Sequence, residues 1–155
     1  MQNEDILIRR ARETDLPELI RIFAADDLGG HGDTADEEAF EDYLRAFHVI
    51  DHSSNEQLFV AELAGEVVGT FQILFNRTLT GRGSLAMIVE AVHSRPDMRG
   101  RGIGEAMMAY AVEDAKRRDC RLVQLTSNSA RTDAHRFYER LGFVRSHYGF
   151  KMKLK

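Results

Sequence analysis

The stretch that most constrains this chain is Arg99-Gly100-Arg101-Gly102-Ile103-Gly104. It stands between a strand-like apolar run, Leu85 to His93, and a helical run from Ile103 to about Arg118. Glycines at such a junction open backbone conformations closed to other residues, so successive N–H groups can close round an anion, and the helix N-terminus adds partial positive charge. The arrangement predicts a phosphate-bearing ligand, and which ligand it is decides the function. A P-loop is excluded, because Gly104 is followed by Glu105 where a lysine and a magnesium-binding hydroxyl are required. The dinucleotide fingerprint fails as well: Gly100, Gly102 and Gly104 are spaced by two throughout, so the third glycine comes one position early. Taken alone, the cluster also reads as a tight turn.

The 155 residues are enough for one domain with a real core, residues 1–155. A hydrophobic share of 43% with 30% charged residues is that of an ordinary soluble protein, and a net charge of −4 argues against nucleic acid as the main partner. No apolar run approaches a membrane span, and the N-terminus lacks a signal-peptide core. Cys120 is the only cysteine, so no intrachain disulfide exists; this fits a reducing, cytoplasmic setting and a packed thiol. No Cys/His cluster has metal-ligand spacing, so no metal is expected.

Periodicity gives the elements. Ile6 and Ile8 begin a strand; Thr14 or Asp15 caps a helix with Pro17 in its first turn, and Leu16, Leu19, Ile20 and Phe23 form its apolar face. The segment from Asp27 to Asp33, with Gly29, Gly30 and Gly32, reads as a loop. A second helix puts Phe40, Tyr43, Leu44 and Phe47 on one face. Strands over Leu58 to Leu63 and Val67 to Phe75 meet at Gly65 in a hairpin, and Thr80 to Gly83 is a further turn. Ile103, Met107, Tyr110 and Ala111 line a third helix; Leu122 to Thr126 is a strand; Ala134, Phe137, Tyr138 and Leu141 line a fourth helix stopped by Gly142. Phe150, Met152 and Leu154 alternate with lysines as a closing strand. The expected fold is α/β, a mixed sheet with helices on its faces, in the order β-α-α-β-β-β-α-β-α-β-β.

At this point the chain resembles the GNAT (general-control-related N-acetyltransferase) superfamily over nearly its whole length. Two motifs carry the resemblance. One is the Arg/Gln-x-x-Gly-x-Gly/Ala loop, matched by Arg99, Gly102 and Gly104; the other is the block from Ala134 to Phe143 on the fourth helix. The resemblance implies a splayed central sheet, acetyl-coenzyme A as the acetyl donor, and direct transfer to an amine. It implies that the amides of Gly100, Arg101, Gly102, Ile103 and Gly104 hold the pyrophosphate, with Arg99 and Arg101 adding charge. It further implies that the backbone of Val92, His93 and Ser94 pairs with the pantetheine arm, an addition of a ligand as a strand. Many relatives have an asparagine seven residues before the tyrosine of the second motif. Arg131 stands there in this chain, and the nearest asparagine is Asn128; these two are the cofactor-contact candidates after the fifth strand.

Amine attack on a thioester releases a thiolate, which an acid can protonate, and needs a base to take the ammonium proton. By resemblance Tyr138 is the acid; by periodicity alone it is equally a core tyrosine beside Ala134 and Leu141. A phenol near pKa 10 is a sound donor and a poor base. Glu90, on a strand face with Ile88 and Val92, is the candidate base, with burial expected to raise its carboxyl. A Glu that only binds substrate or pairs with an arginine remains open beside it. His93 is the next candidate after Glu90, although as the last strand residue it is favoured to lend its backbone to the cofactor instead. His135 is expected to be half-exposed, and His31, His48 and His52 at the surface.

The acceptor is an amine of a small molecule or peptide. The acidic segment Asp26, Asp27, Asp33, Asp36, Glu37, Glu38, Glu41 and Asp42 would suit a cationic one, and equally reads as a solvated helix face. The alternative to an enzyme is a module that senses acetyl-coenzyme A without turnover. A homodimer is an admissible assembly.

Overall fold

A computed structural model describes residues 5–26, 28 and 31–155, so Asp27, Gly29 and Gly30 of the expected loop lie outside the described residues. The chain divides into two compact units, Met1–Gln124 and Leu125–Lys155. In the first, β1 (Leu7–Arg10), β2 (Glu56–Leu63), β3 (Glu66–Arg77) and β4 (Leu85–Ser94) pair antiparallel in chain order. β5 (Leu122–Leu125), at the junction of the units, lies next to β4 in a five-stranded mixed sheet. β2 and β3 meet through Ala64 and Gly65, both at positive φ, the two-residue turn that matches the twist of a hairpin. β3 and β4 are joined through α3 (Thr80–Gly83), a single turn.

Helical spacing sets the core. On α1 (Leu16–Ala24), Leu16, Leu19, Ile20 and Ile22 are buried with Phe47, Val60 and Val67, and Phe40, Tyr43 and Leu44 of α2 (Glu37–His52) pack against them. α4 (Ile103–Arg117) buries Ile103, Met107, Met108, Ala111 and Ala115. It comes close to β3 at Gly69, where a Cβ would lie 2.8 Å from Ile103 Cγ2 and 3.0 Å from Met107 Sδ. Any larger residue there would push back the helix, and with it the glycine turn that begins it.

Asp15 precedes α1, but its carboxylate does not cap the helix. It accepts from both Arg9 terminal nitrogens, at 2.8 and 2.9 Å, and from the Arg12 amide at 2.7 Å. Burial pushes this carboxyl up; the Arg9 and Arg12 hydrogen bonds outweigh it and hold it below the usual carboxylate range.

In the second unit, Asn128 builds the turn before α5 (Thr132–Arg140): its Oδ1 accepts from the Ala130 amide at 2.9 Å and its carbonyl from the Arg131 amide at 2.9 Å. The expected glycine stop is present, with Gly142 at φ 100°. The closing strands are not. Among the described residues no strand follows α5, and Val144, Tyr148, Phe150, Met152 and Leu154 are exposed. Alternation supplies a strand with a face, but a strand also needs a neighbour to bond to, and no described strand pairs with this segment.

Candidate active site

β4 positions most of the site. Thr70 pairs with His93 and Gln72 with Glu90, so Phe71 alone faces both Ala91 and Val92. This is a β-bulge, with Ala91 at φ 51°; it leaves backbone unpaired in the ladder and re-aims the side chains beyond it. Met87 and Val89 before it are buried, whereas Glu90 and Ala91 are exposed. The expected burial of Glu90 is therefore corrected: the core face of β4 is that of Met87 and Val89, and Glu90 points the other way.

Past the bulge Val92, His93 and Ser94 are half-buried. The His93 ring meets Phe23 edge-on, centroids 5.2 Å apart, and its Nδ1 lies 3.6 Å from the carboxylate of Asp26, just beyond α1. That is ion-pair range rather than a hydrogen bond. The side chains are 20% and 11% exposed, so little water screens them. Sequence reasoning named His93 as the candidate after Glu90 but favoured a backbone role for it, and it missed this pair, whose members lie on different elements with no motif between them.

The chain then turns into α4. The Arg95 amide donates to the Val68 carbonyl at 2.8 Å, and its guanidinium bridges Asp97 at 2.7 Å and Glu66 at 3.3 Å. After the short turn Pro96–Met98, Arg99, Gly100, Arg101 and Gly102 are all exposed. Gly100 and Gly102 have φ of 79° and 80°, and nothing lies within 4 Å of where a Cβ would stand on either. The Gly102 carbonyl accepts from the Ala106 amide at 3.0 Å, starting the helix. Ile103 is buried and Gly104 half-buried in its first turn. An open, left-handed backbone thus leads into the positive end of a 15-residue helix.

In the second unit Tyr138 is half-buried, edge-on to Phe137 and Phe143 at centroid distances of 5.1 and 5.8 Å. Burial pushes its phenol above the ordinary value of 10, against a smaller pull from the Arg131 charge. Arg131 sits at the N-cap of α5 and is half-buried; the His135 ring bonds the Asn128 carbonyl at 2.8 Å.

Elsewhere His31, His48 and His52 are exposed, as expected, as are Asp33, Asp36, Glu37, Glu38, Glu41 and Asp42. Asp33 accepts from the Tyr43 hydroxyl at 2.7 Å, tying the acidic loop to α2. Cys120 is half-buried, and burial pushes its thiol up. Among the described residues no group of three or more His, Cys, Asp or Glu could hold a metal, and no helix is long and apolar enough to cross a membrane.

A mixed sheet with a bulged strand running into a glycine turn and a helix is the frame of an acetyl-transferring fold, and the comparisons agree. Residues 16–143 match the model of the Acetyltransferase (GNAT) family, and the chain belongs to that family of acyltransferases. It is 35% identical over 119 residues, 77% of this chain and 75% of the relative, to an aminoalkylphosphonate N-acetyltransferase of Salmonella typhimurium. A crystal structure described as a transcriptional regulator from Bacillus halodurans superposes with a TM-score of 0.92 at 40% identity, covering 97% of this chain and all of that one. A putative acetyltransferase from Agrobacterium tumefaciens gives 0.82 at 27% identity, over 95% and 99% of the two chains. The family uses acetyl-coenzyme A. The exposed turn fits its pyrophosphate: a Cβ at Gly100 or Gly102 would stand in the open space the phosphates need.

Proposed function

We propose that the chain is one acetyltransferase domain, residues 1–155, that moves the acetyl group of acetyl-coenzyme A onto an amine of a small molecule or peptide in the cytoplasm. The observation that carries this reading is the open, left-handed Gly100–Gly102 backbone at the head of α4. In this reading the amides from Gly100 to Gly104 hold the pyrophosphate, with Arg99 and Arg101 adding charge. The backbone of Val92, His93 and Ser94 next to the bulge bonds the pantetheine arm, and Asn128 and Arg131 are the further cofactor contacts of this reading. Tyr138 gives its hydroxyl proton to the departing sulfur, and its raised pKa keeps it protonated for that task. Glu90 takes the ammonium proton, directly or through water, as its exposure permits. One observation favours a second proton acceptor: the half-buried His93 beside Asp26.

Thiol release from acetyl-coenzyme A across a panel of amines tests the reading. Aminoalkylphosphonates come first, because the 35% identical relative is named for them. Polyamines and aminoglycosides probe the acidic α2 segment, and peptide N-termini complete the set. Turnover on any of them supports the enzyme. Tight binding of acetyl-coenzyme A with no release on the whole panel would leave a sensor module, the reading favoured by the relative described as a transcriptional regulator.

A further inference from the structure

A second arginine-rich region lies at the start of β4, the opposite end of that strand from the cofactor turn. A cavity of about 540 Å³ opens there between the β3–β4 connection and the segment after α4. Arg77, Arg82, Arg118 and Arg121 line it against a single carboxylate, Asp119, in a chain whose net charge is −4. Two of the four are fixed by their surroundings. Arg77 donates to the Gly83 carbonyl at 2.6 Å, while Arg118 donates to Asp114 at 3.1 Å and stacks over Phe75, 4.5 Å from the ring centroid. Among the described residues Arg82 and Arg121 form no ion pair.

The backbone is shaped to the same end. Gly81, Arg82 and Gly83 stand in succession at φ of 64°, 63° and 74°, and Arg82 takes this conformation although it has a side chain. Strain of this kind gathers at functional positions. A Cβ on Gly81 would stand 2.3 Å from Arg121 Nη1 and 2.6 Å from Ser84 Oγ, so a guanidinium and a hydroxyl converge over bare backbone. Guanidinium groups offer paired donors that match phosphate oxygens, and 300–1,000 Å³ is roughly the range of small-ligand sites. We propose that this cavity binds a small polyanion containing a phosphoanhydride, of the pyrophosphate or nucleoside diphosphate class, separately from acetyl-coenzyme A.

Cys120 lines the same cavity and is the only cysteine in the chain, so its labelling reports occupancy without reference to activity. Iodoacetamide labelling is followed with the cofactor turn saturated by a coenzyme A analogue that lacks the thiol. Inorganic pyrophosphate should slow labelling saturably, by about fivefold or more, because a filled cavity covers the thiol and added negative charge disfavours the reactive thiolate. Arg82→Ala with Arg121→Ala should abolish the ratio of rates without and with pyrophosphate; Arg82→Ala alone, on an exposed side chain, should weaken it. Each variant serves as its own reference, so any change in the thiol itself cancels. ADP acting at lower concentration than pyrophosphate assigns the site to nucleotides, and the reverse assigns it to free phosphoanhydrides. Equal slowing by sodium chloride at matched ionic strength, undiminished protection in the double variant, or stronger protection by a short single-stranded oligonucleotide would overturn the proposal.

Discussion

Two turns bracket β4, both made of glycines and arginines; Gly83 of the first is as open as Gly100 and Gly102 of the second, and they differ in the crowding at Gly81 and in the element each one leads into. Gly81 is crowded: a Cβ there would run into Arg121 and Ser84, and the turn closes an antiparallel pair. Gly100 and Gly102 are open, and their turn runs into the head of a helix. Left-handed φ is common to both. The difference is that the second turn stands at the positive end of a helix dipole, whereas the first has side chains over Gly81 and leads into a strand. A glycine count therefore says little about an anion site until the next element in the chain is known.

The sharpest way to break the comparison is Gly104→Glu. Gly104 has no positive φ and lies inside α4, so the change introduces no backbone strain. An acid in the first turn of a helix is if anything stabilising, and Glu exceeds Gly in helix propensity by about 0.5–1 kcal/mol. Against a pyrophosphate the same carboxylate repels at close range, which costs several kcal/mol, or about a 10³-fold loss of coenzyme A affinity. Calorimetry on a variant with unchanged or raised melting temperature checks this. Near wild-type affinity would show the open turn to be no different in kind from the crowded one.

Binding at the proposed turn would not by itself be turnover, so the next effect tests whether chemistry accompanies it. Tyr138→Phe should lower kcat by about 10²–10⁴-fold, the usual worth of an acid, with little change in KM for acetyl-coenzyme A. The pH profile carries a sign. Burial raises the phenol pKa, so the acid stays protonated past its ordinary value, and the basic limb assigned to it should lie above 10 in wild type and vanish in the variant. A kcat within about threefold of wild type, with chemistry rate-limiting, would make Tyr138 a packing residue of α5.

A smaller loss, about tenfold or more, is expected at the proton acceptor, since water can stand in for an exposed base. Glu90→Gln should remove the acidic limb of kcat/KM and be partly rescued as pH rises and more amine arrives neutral. His93→Gln separates the two candidates. If His93 beside Asp26 is the acceptor, that variant loses the limb and Glu90→Gln keeps it, with at most a raised acceptor KM.

The fate of Glu90 shows how far the sequence was legible. The faces of α1, α2 and α4 came from 3.6-residue spacing, and the Ala64–Gly65 hairpin and Gly142 stop from local turn chemistry, because each depends on neighbours in the chain. Face assignment along β4 did not: both alternations in that strand are largely apolar, and only the fold decides that Met87 and Val89 take the core. The bulge is carried by Ala91, a residue with no preference for φ of 51°, so the backbone geometry before His93 left no trace in composition. The His93–Asp26 and Arg95–Glu66 pairs join separate elements. The closing strands failed for the opposite reason: the alternation of Phe150, Met152 and Leu154 is plain, but it cannot name a partner strand.

The smallest effect on chemistry is expected at the crowded turn, and it tests the comparison from the other side. Gly81→Ala places a methyl 2.3 Å from Arg121 Nη1 at φ of 64°. The left-handed conformation costs an alanine about 1–2 kcal/mol relative to the right-handed one. The clashes are with the far end of the flexible Arg121 side chain and with the Ser84 hydroxyl, which can rotate, so both can give way and the remaining cost is largely this strain. Urea unfolding should show a loss of about that size, and Arg121→Ala in the same background should not restore it. KM for acetyl-coenzyme A should stay within about twofold, since the ten residues of β4 hold the two turns roughly 30 Å apart. A rise in that KM well beyond twofold would show the two turns to be coupled through β4 or α4, and would end the division between a turn that closes the sheet and an open one proposed to hold the cofactor.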